Sequence, residues 1–294
     1  MRIVQARERD PFPRRTAEPA VLLPWLAELV RTAPDLLRSY LPGGPINPRT
    51  REQVILAVTE VNGCRYCAWI HGSWADYLGE LADPAEALDA LLLHARASAE
   101  AGHPLDPAPL RELLPPEVVG GLRATVAQIE VANLVGNTVD GLLARATRAR
   151  PLDPPRAAAE LATVAVALPV ALPMLAVAAS MRALRRLAPE VPEVQMPPAG
   201  EANLLVHLLA RAVPSYLANA GLRLALLRLP VPIAVGVKAG RTAATLRIGR
   251  GAIEVDNGVR PDAALVVEGD VAPLLQLATG HLVREIGSLR VKRK

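Results

Sequence analysis

The sequence predicts a multidomain chain, an all-α first part followed by an α+β second part, and three observations carry that prediction. Apolar residues recur at helical spacing as far as about residue 188, with no clear strand before about residue 230. A proline-rich stretch, EVPEVQMPPAG (190–200), then interrupts the pattern. Beyond residue 230 the apolar period shortens to two, in runs separated by glycine turns. A chain of 294 residues is long enough for two domains, here 1–188 and 201–294 joined by a linker at 189–200.

The helices follow in order. Residues 1–20 look irregular, and Trp25–Tyr40 forms one amphipathic helix with Leu26, Leu29, Val30 and Leu37 as its apolar positions. LPGGPINP turns the chain into a helix running from Pro48 to about Val61, with Asn47 as N-cap and Pro48 in the first turn. Its apolar face is Val54, Ile55, Val58 and Val61. Asn62-Gly63 stops it, because glycine suits a left-handed C-terminal position. A new helix opens near Cys64 and runs through Trp69, His71, Trp74 and Tyr77. Asp83–Glu100 makes another after its Asp-Pro start, and Pro115–Arg148 holds one or two more. Leu161–Met181 carries no charge and is long enough to span a bilayer. Alanine is only weakly hydrophobic, Pro169 and Pro173 interrupt a helix, and arginines flank both ends. A buried or kinked helix is therefore expected there, with membrane contact as the competing reading.

In the second part, Glu201–Leu229 is helical with a break near Pro214. Strands centre on Ile233, Val235 and Val237, on Leu246 and Ile248, on Ile253 and Val255, and on Leu265 and Val267. Turns fall at Ala239-Gly240, Gly249–Gly251 and Asn257-Gly258. A short helix, VAPLLQLATGH, follows Gly269-Asp270, and LRVK closes the sheet. The basic cluster Arg290–Lys294 reads as a solvated tail.

Chemistry concentrates in Arg51–His71, REQVILAVTEVNGCRYCAWIH, which contains both cysteines of the chain. Cys64 and Cys67 form a CxxC, His71 follows four residues later, and Glu52 lies twelve residues before Cys64. On a helix opening at Cys64, the two thiols and His71 share one face. A cysteine in the first turn is acidified by unpaired amide N–H groups, and thiolates are the nucleophiles of redox chemistry. By this logic Cys64 is the more acidic thiol. His71 can pass the proton, and Glu52 can orient the imidazole or accept a proton, provided the two helices fold back on each other. Two other readings compete. The cysteines can be plain buried apolar residues, or the four side chains can hold zinc. A structural zinc site, however, usually draws on cysteine and histidine alone, and here a carboxylate has to complete the set. The reading taken is a metal-free dithiol centre with no bound cofactor.

At these residues the sequence resembles the alkylhydroperoxidase-D-like, or carboxymuconolactone decarboxylase-like, family. The likeness runs from about Asn47 to Ala144 through NPRTREQVILAV, NGCRYCAWIHGSWA and TVAQIEVANLVGNTVDGLL. It implies an all-helical fold that oligomerises and reduces hydroperoxides, with Cys67 attacking peroxide and Cys64 resolving the sulfenic acid as a disulfide. Glu52 and His71 would form the proton relay, and an external thiol reductant would close the cycle. The best-known peroxidase of that family has a histidine where this chain has Tyr66. PDAALVVEGD, VAPLLQLATGH and GSLRV make 201–292 similar to a sterol-carrier-protein type 2-like domain. That likeness implies an apolar tunnel for a lipid, with Leu222, Leu226, Ile233, Val235 and Leu277 as lining residues. The ending VKRK lacks the glycine-aspartate usual after the last strand of such domains.

Composition narrows the classes. Half of the residues are hydrophobic but only 3% are aromatic, so the core is expected to be leucine, alanine and valine. A net charge of +4 is modest, its basic residues are scattered, and no nucleic-acid motif appears. No GxGxxG or GK[TS] phosphate pattern occurs. The charged start MRIVQARERDPFPRR lacks the apolar run of a signal peptide, and a lone CxxC is no secreted disulfide framework, so a cytoplasmic setting is expected. The functional expectation is a thiol-dependent peroxidase, acting on apolar or lipid hydroperoxides as a homo-oligomer. Two alternatives remain: a lipid carrier whose cysteine domain assembles oligomers, and a membrane-associated redox partner touching the bilayer through Leu161–Met181. Decarboxylation or lactone chemistry ranks lower, since it leaves the CxxC idle.

Overall fold

Among the described residues, helices occupy the chain as far as residue 187, and a mixed sheet with two helices follows. The computed structural model describes residues 15–41, 44–79, 85–269 and 290–293. Within these the elements are α1 (Pro19–Arg31), α2 (Ala33–Tyr40), α3 (Pro48–Asn62), α4 (Arg65–Leu78), α5 (Ala85–Ala101), α6 (Ala108–Arg111), α7 (Pro116–Ala146) and α8 (Pro154–Leu187). Then come β1 (Val194–Gln195), α9 (Leu204–Leu217), α10 (Ala220–Leu227), β2 (Ile233–Ala239), β3 (Thr242–Gly249), β4 (Ala252–Asn257), β5 (Leu265–Gly269) and β6 (Arg290–Arg293). Two compact units result, residues 1–72 with 86–179 and residues 73–85 with 180–294. Their boundaries fall inside α4 and α8, whereas the sequence suggested a division at the proline-rich crossing.

The first unit is organised on α7. α1, α2, α3 and α6 all pack on this helix, and Trp25, Ile55, Val58, Leu122, Ile129 and Leu134 are almost wholly removed from solvent between them. Burial of each such side chain stabilises the fold by roughly 1.5–3 kcal/mol. The expected single helix over Trp25–Tyr40 is two helices. Pro34 cannot continue the hydrogen-bond ladder, so the chain breaks at Thr32, whose hydroxyl donates to the Glu28 carbonyl (2.8 Å). The inward face also differs from the expected one: Trp25 and Glu28 are buried while Val30 and Leu37 are exposed. Residues 116–146 are one helix of 31 residues.

α8 has the expected kink but not the expected burial. Its apolar stretch is no core element, since Leu161, Val166 and Leu172 are 58%, 81% and 59% exposed. It is kinked, bending by 54° between Pro154–Pro169 and Ala171–Leu187, at the prolines that remove backbone donors. A buried ion pair fixes its start, Arg145 on α7 to Glu160 at 3.0 Å.

The second unit holds the sheet, in the order β1-β4-β3-β2-β5-β6. β2, β3 and β4 form an antiparallel meander, β5 joins β2 in parallel, and β6 closes the edge antiparallel to β5. The Arg290–Arg293 cluster is thus a strand, as the LRVK reading had it, and not a free tail. The proline-rich crossing also supplies a strand, because Val194–Gln195 pairs in parallel with β4. α9 does not stop at Pro214. It runs to Leu217, and the break comes at Asn219, whose side chain captures the Leu222 N–H (3.1 Å) and so starts α10. Leu205, Val206, Val213 and Leu217 of α9 close over the sheet residues Ala244, Ile248, Ile253 and Val255. The expected helix over 271–281, with Leu277 and His281, lies outside the described residues.

Candidate functional site

Local sequence rules place the site. Asn47 caps α3 by accepting the Arg49 N–H (2.8 Å), and Gly63 ends it in the left-handed region at φ 65°. Cys64 then occupies the N-cap position of α4. Its carbonyl accepts the first helical bond from Ala68 N–H (3.0 Å), and its Sγ accepts the Cys67 N–H (3.3 Å). A cysteine thus fills the role usually taken by serine or aspartate, which aims unpaired amides at the sulfur.

Both thiols are free and buried, Cys64 at 1% exposure and Cys67 at 6%. Their sulfurs stand 2.7 Å apart, too close for plain packing and well beyond the disulfide length of about 2.05 Å. The Cys64 thiol is held below its ordinary acidity value. The hydrogen bond from Cys67 is the main cause; the Cys67 and Tyr66 amides add to it, while burial and the Asp140 carboxylate oppose it. Cys67 moves the other way, because it donates to Cys64 and is itself buried beside that charge. Cys64 is thus the more acidic member of the pair and Cys67 the less acidic.

The carboxylate and histidine also meet. His71 Nδ1 lies 2.7 Å from Glu52 Oε2, which makes Nδ1 the donor and leaves Nε2 as the basic nitrogen. Glu52 is fully buried, and Arg51 Nε lies 3.6 Å from its other oxygen. Arg51 is anchored in turn through the Ser39 carbonyl (2.6 Å) and stacks on the Tyr40 ring at 3.9 Å. The sequence reading did not single out Arg51, although it directly precedes Glu52. His71 sits one helical turn beyond Cys67 on the same face of α4. Among the described residues, no group of three or more His, Cys, Asp or Glu side chains is placed to hold a metal ion. The four residues form two close pairs.

α7 contributes what the sequence reading missed. Gly136 backs the thiols so tightly that a Cβ there would lie 2.5 Å from Cys64 Sγ. Asp140, one turn on, pairs with Arg65 (2.7 Å), whose guanidinium also donates to the Tyr66 hydroxyl (2.9 Å). Glu130, Asn133 and Asn137 put a polar stripe at i, i+3 and i+7 into the buried seam with α3. Glu130 Oε1 accepts from the Asn62 amide (2.9 Å), and Asn137 donates to the Asn62 carbonyl (3.0 Å). Burial pushes the Glu130 carboxyl up to about 7, against the Asn62 hydrogen bond and the Arg15 charge. Three polar residues at helical spacing in an otherwise apolar run were the signal available in the sequence.

Four of the five expected lipid-lining residues fall among the described residues. Leu226 and Val235 pack into separate core clusters, whereas Leu222 and Ile233 are exposed at 39% and 43%. Leu277 lies outside the described residues. An open groove of about 560 Å³ in this unit is lined by Val194, Met196, Gly251 and Ala252 among others, and by none of those five. Comparison of the chain with protein-family models, with curated proteins and with solved structures finds no match.

Proposed function

We propose that the chain is a thiol-dependent hydroperoxide reductase of the alkylhydroperoxidase-D-like type, with a sterol-carrier-like second part that directs it to apolar or lipid hydroperoxides. The observation that carries this reading is the polarised thiol pair, with Cys64 Sγ 2.7 Å from Cys67 Sγ and capped by the Cys67 amide. The Glu52–His71 dyad at 2.7 Å supports it by leaving one imidazole nitrogen free to move protons.

In the proposed cycle the Cys67 proton crosses to the Cys64 thiolate. Cys67, the less buried of the two, then attacks the terminal peroxide oxygen. The O–O bond breaks, the alkoxide takes a proton through His71 Nε2, and Cys67 is left as the sulfenic acid. Cys64 attacks that sulfur, the S–S bond forms and water leaves. An external dithiol returns both electrons by exchange.

The test is peroxide-dependent oxidation of the reduced protein, read by thiol titration and mass spectrometry beside Cys64→Ser and Cys67→Ser. Loss of both thiols and of two hydrogens in mass is expected, with sulfenic acid trapped in Cys64→Ser. Trapping it in Cys67→Ser instead would move the attack to the more acidic Cys64. Thiols that stay reduced under excess peroxide would end the peroxidase reading. Equal rates on hydrogen peroxide and lipid hydroperoxides would remove the apolar preference.

A further inference from the structure

We propose that Glu130 is a positioning residue for the dithiol, a protonated latch that holds the Asn62–Cys64 turn against α7. The inference rests on the redox reading for its purpose, because buried thiols must become reachable to react. Its physical content is independent of that reading.

The geometry is local and continuous. Glu130 is wholly buried and touches the turn through one hydrogen bond, Asn62 Nδ2 to Oε1 at 2.9 Å. The same Asn62 amide also reaches the Val58 carbonyl (3.2 Å), and the Asn62 carbonyl takes the Asn137 amide (3.0 Å). The side chain and main chain of the last residue of α3 are thus both tied down immediately before Gly63 and Cys64. Gly136, between Asn133 and Asn137, closes on the Cys64 sulfur from the same helix. Thr59 adds a weaker tie, its hydroxyl donating to Asn133 Oδ1 at 3.3 Å.

Glu130 Oε2 has no partner and is buried, as are Asn133 Nδ2 and Asn137 Oδ1 on the same stripe. A carboxylate with one bare oxygen in an apolar seam is strongly disfavoured, whereas the neutral acid fits. The charged group bearing on it is Arg15, from the segment before α1, which favours the ionised form. α3 brings the uncharged Thr59 and Asn62 to the seam, and α7 itself brings Asn133 and Asn137. The closed seam therefore binds a proton that the opened seam, with Glu130 in water, gives up. Opening of the turn is linked to loss of that proton.

The linkage fixes the shape of the effect. With Glu130 shifted from an ordinary 4.5 to about 7 in the closed seam, the opening constant climbs through that interval and levels off above it. Between pH 5 and pH 7 the rise is about 40-fold, roughly sixfold per unit, because each end of that range lies near one of the two midpoints. Glu130→Gln keeps an oxygen for the Asn62 amide and cannot ionise, so it removes the rise and stays closed.

The experiment is amide hydrogen exchange of the reduced full-length protein without peroxide, at pH 5, 6 and 7. Rates at Gly63–Cys67 are divided by those of an unstructured peptide of the same sequence. The wild type should lose about 40-fold of protection at these amides over that range, and Glu130→Gln should lose none. Equal pH dependence in the two proteins overturns the latch. Should Glu130→Gln fail to fold, the wild type alone decides: the amides of α9 serve as reference, and parallel behaviour at Gly63–Cys67 overturns the proposal. Because no peroxide is present, this outcome is separate from success or failure of the peroxidase assay.

Discussion

Gly136→Ala is the sharpest probe of how the fold acidifies Cys64. The added Cβ would lie 2.5 Å from Cys64 Sγ and 3.7 Å from both Cys67 Sγ and the Tyr66 ring. Carbon and sulfur in contact need roughly 3.5–4 Å, so the sulfur must retreat by about 1 Å or α7 must back away. Retreat of the sulfur stretches the Cys67 N–H bond to Cys64, now 3.3 Å, past useful range and pulls apart the 2.7 Å sulfur pair, since α4 and its N-cap carry all of these atoms. A hydrogen bond to a charged group is worth about 1.5–3 kcal/mol, which is about one to two pH units on the titration midpoint. Cys64 should therefore titrate about one to two units higher, and its alkylation near neutral pH should slow by roughly 10–100-fold. Global stability discriminates poorly. Overpacking costs about 1–3 kcal/mol, but alanine favours a helix interior over glycine by roughly 0.5–1 kcal/mol. The assay is iodoacetamide alkylation against pH, with the modified cysteine identified by mass spectrometry. A Cys64 profile unchanged by Gly136→Ala would refute the claim that α7 sets the sulfur's position and acidity.

Three further outcomes are expected. Glu52→Gln and His71→Asn should each lower the peroxide-dependent rate by about 10²–10⁴, and the double variant by no more than the worse single one, since the pair acts as a unit; rapid-mixing kinetics checks this, and additive losses would count against a dyad. Glu130 is raised in the folded state, so its contribution to stability is complete below about 4.5 and is lost as pH rises through about 7. Denaturant midpoints of Glu130→Gln relative to wild type should accordingly improve between pH 5 and pH 8, by on the order of 3 kcal/mol at most, and a constant difference would contradict the burial of an ionisable group there. Arg145→Met leaves the buried Glu160 carboxylate, now 3.0 Å away, with only the longer contact to the half-exposed Arg156 (3.5 Å), and should cost about 3 kcal/mol in urea unfolding, much of it recovered in a double variant with Glu160→Leu.

What the sequence discloses, and what it hides, follows from the range of the interactions. The Glu52, Cys64, Cys67 and His71 spacing is readable because α3, the Gly63 turn and α4 are encoded within about twenty residues by a cap, a glycine and an apolar period. Their conversion into two close pairs needs α3 to turn back on α4, which the Asn-Gly stop implies. The contribution of α7 is not local. Gly136 reads as an ordinary helix glycine until Cys64 lies against it, and Glu130 reads as a surface residue until Asn62 meets it across the seam. In the sheet, alternation located the strands, and Val237, Ile248, Ile253 and Val255 among the named positions are buried. On β2 the large Ile233 is exposed while the small Ala234 and Gly236 are buried, because close packing there selects small residues over large ones.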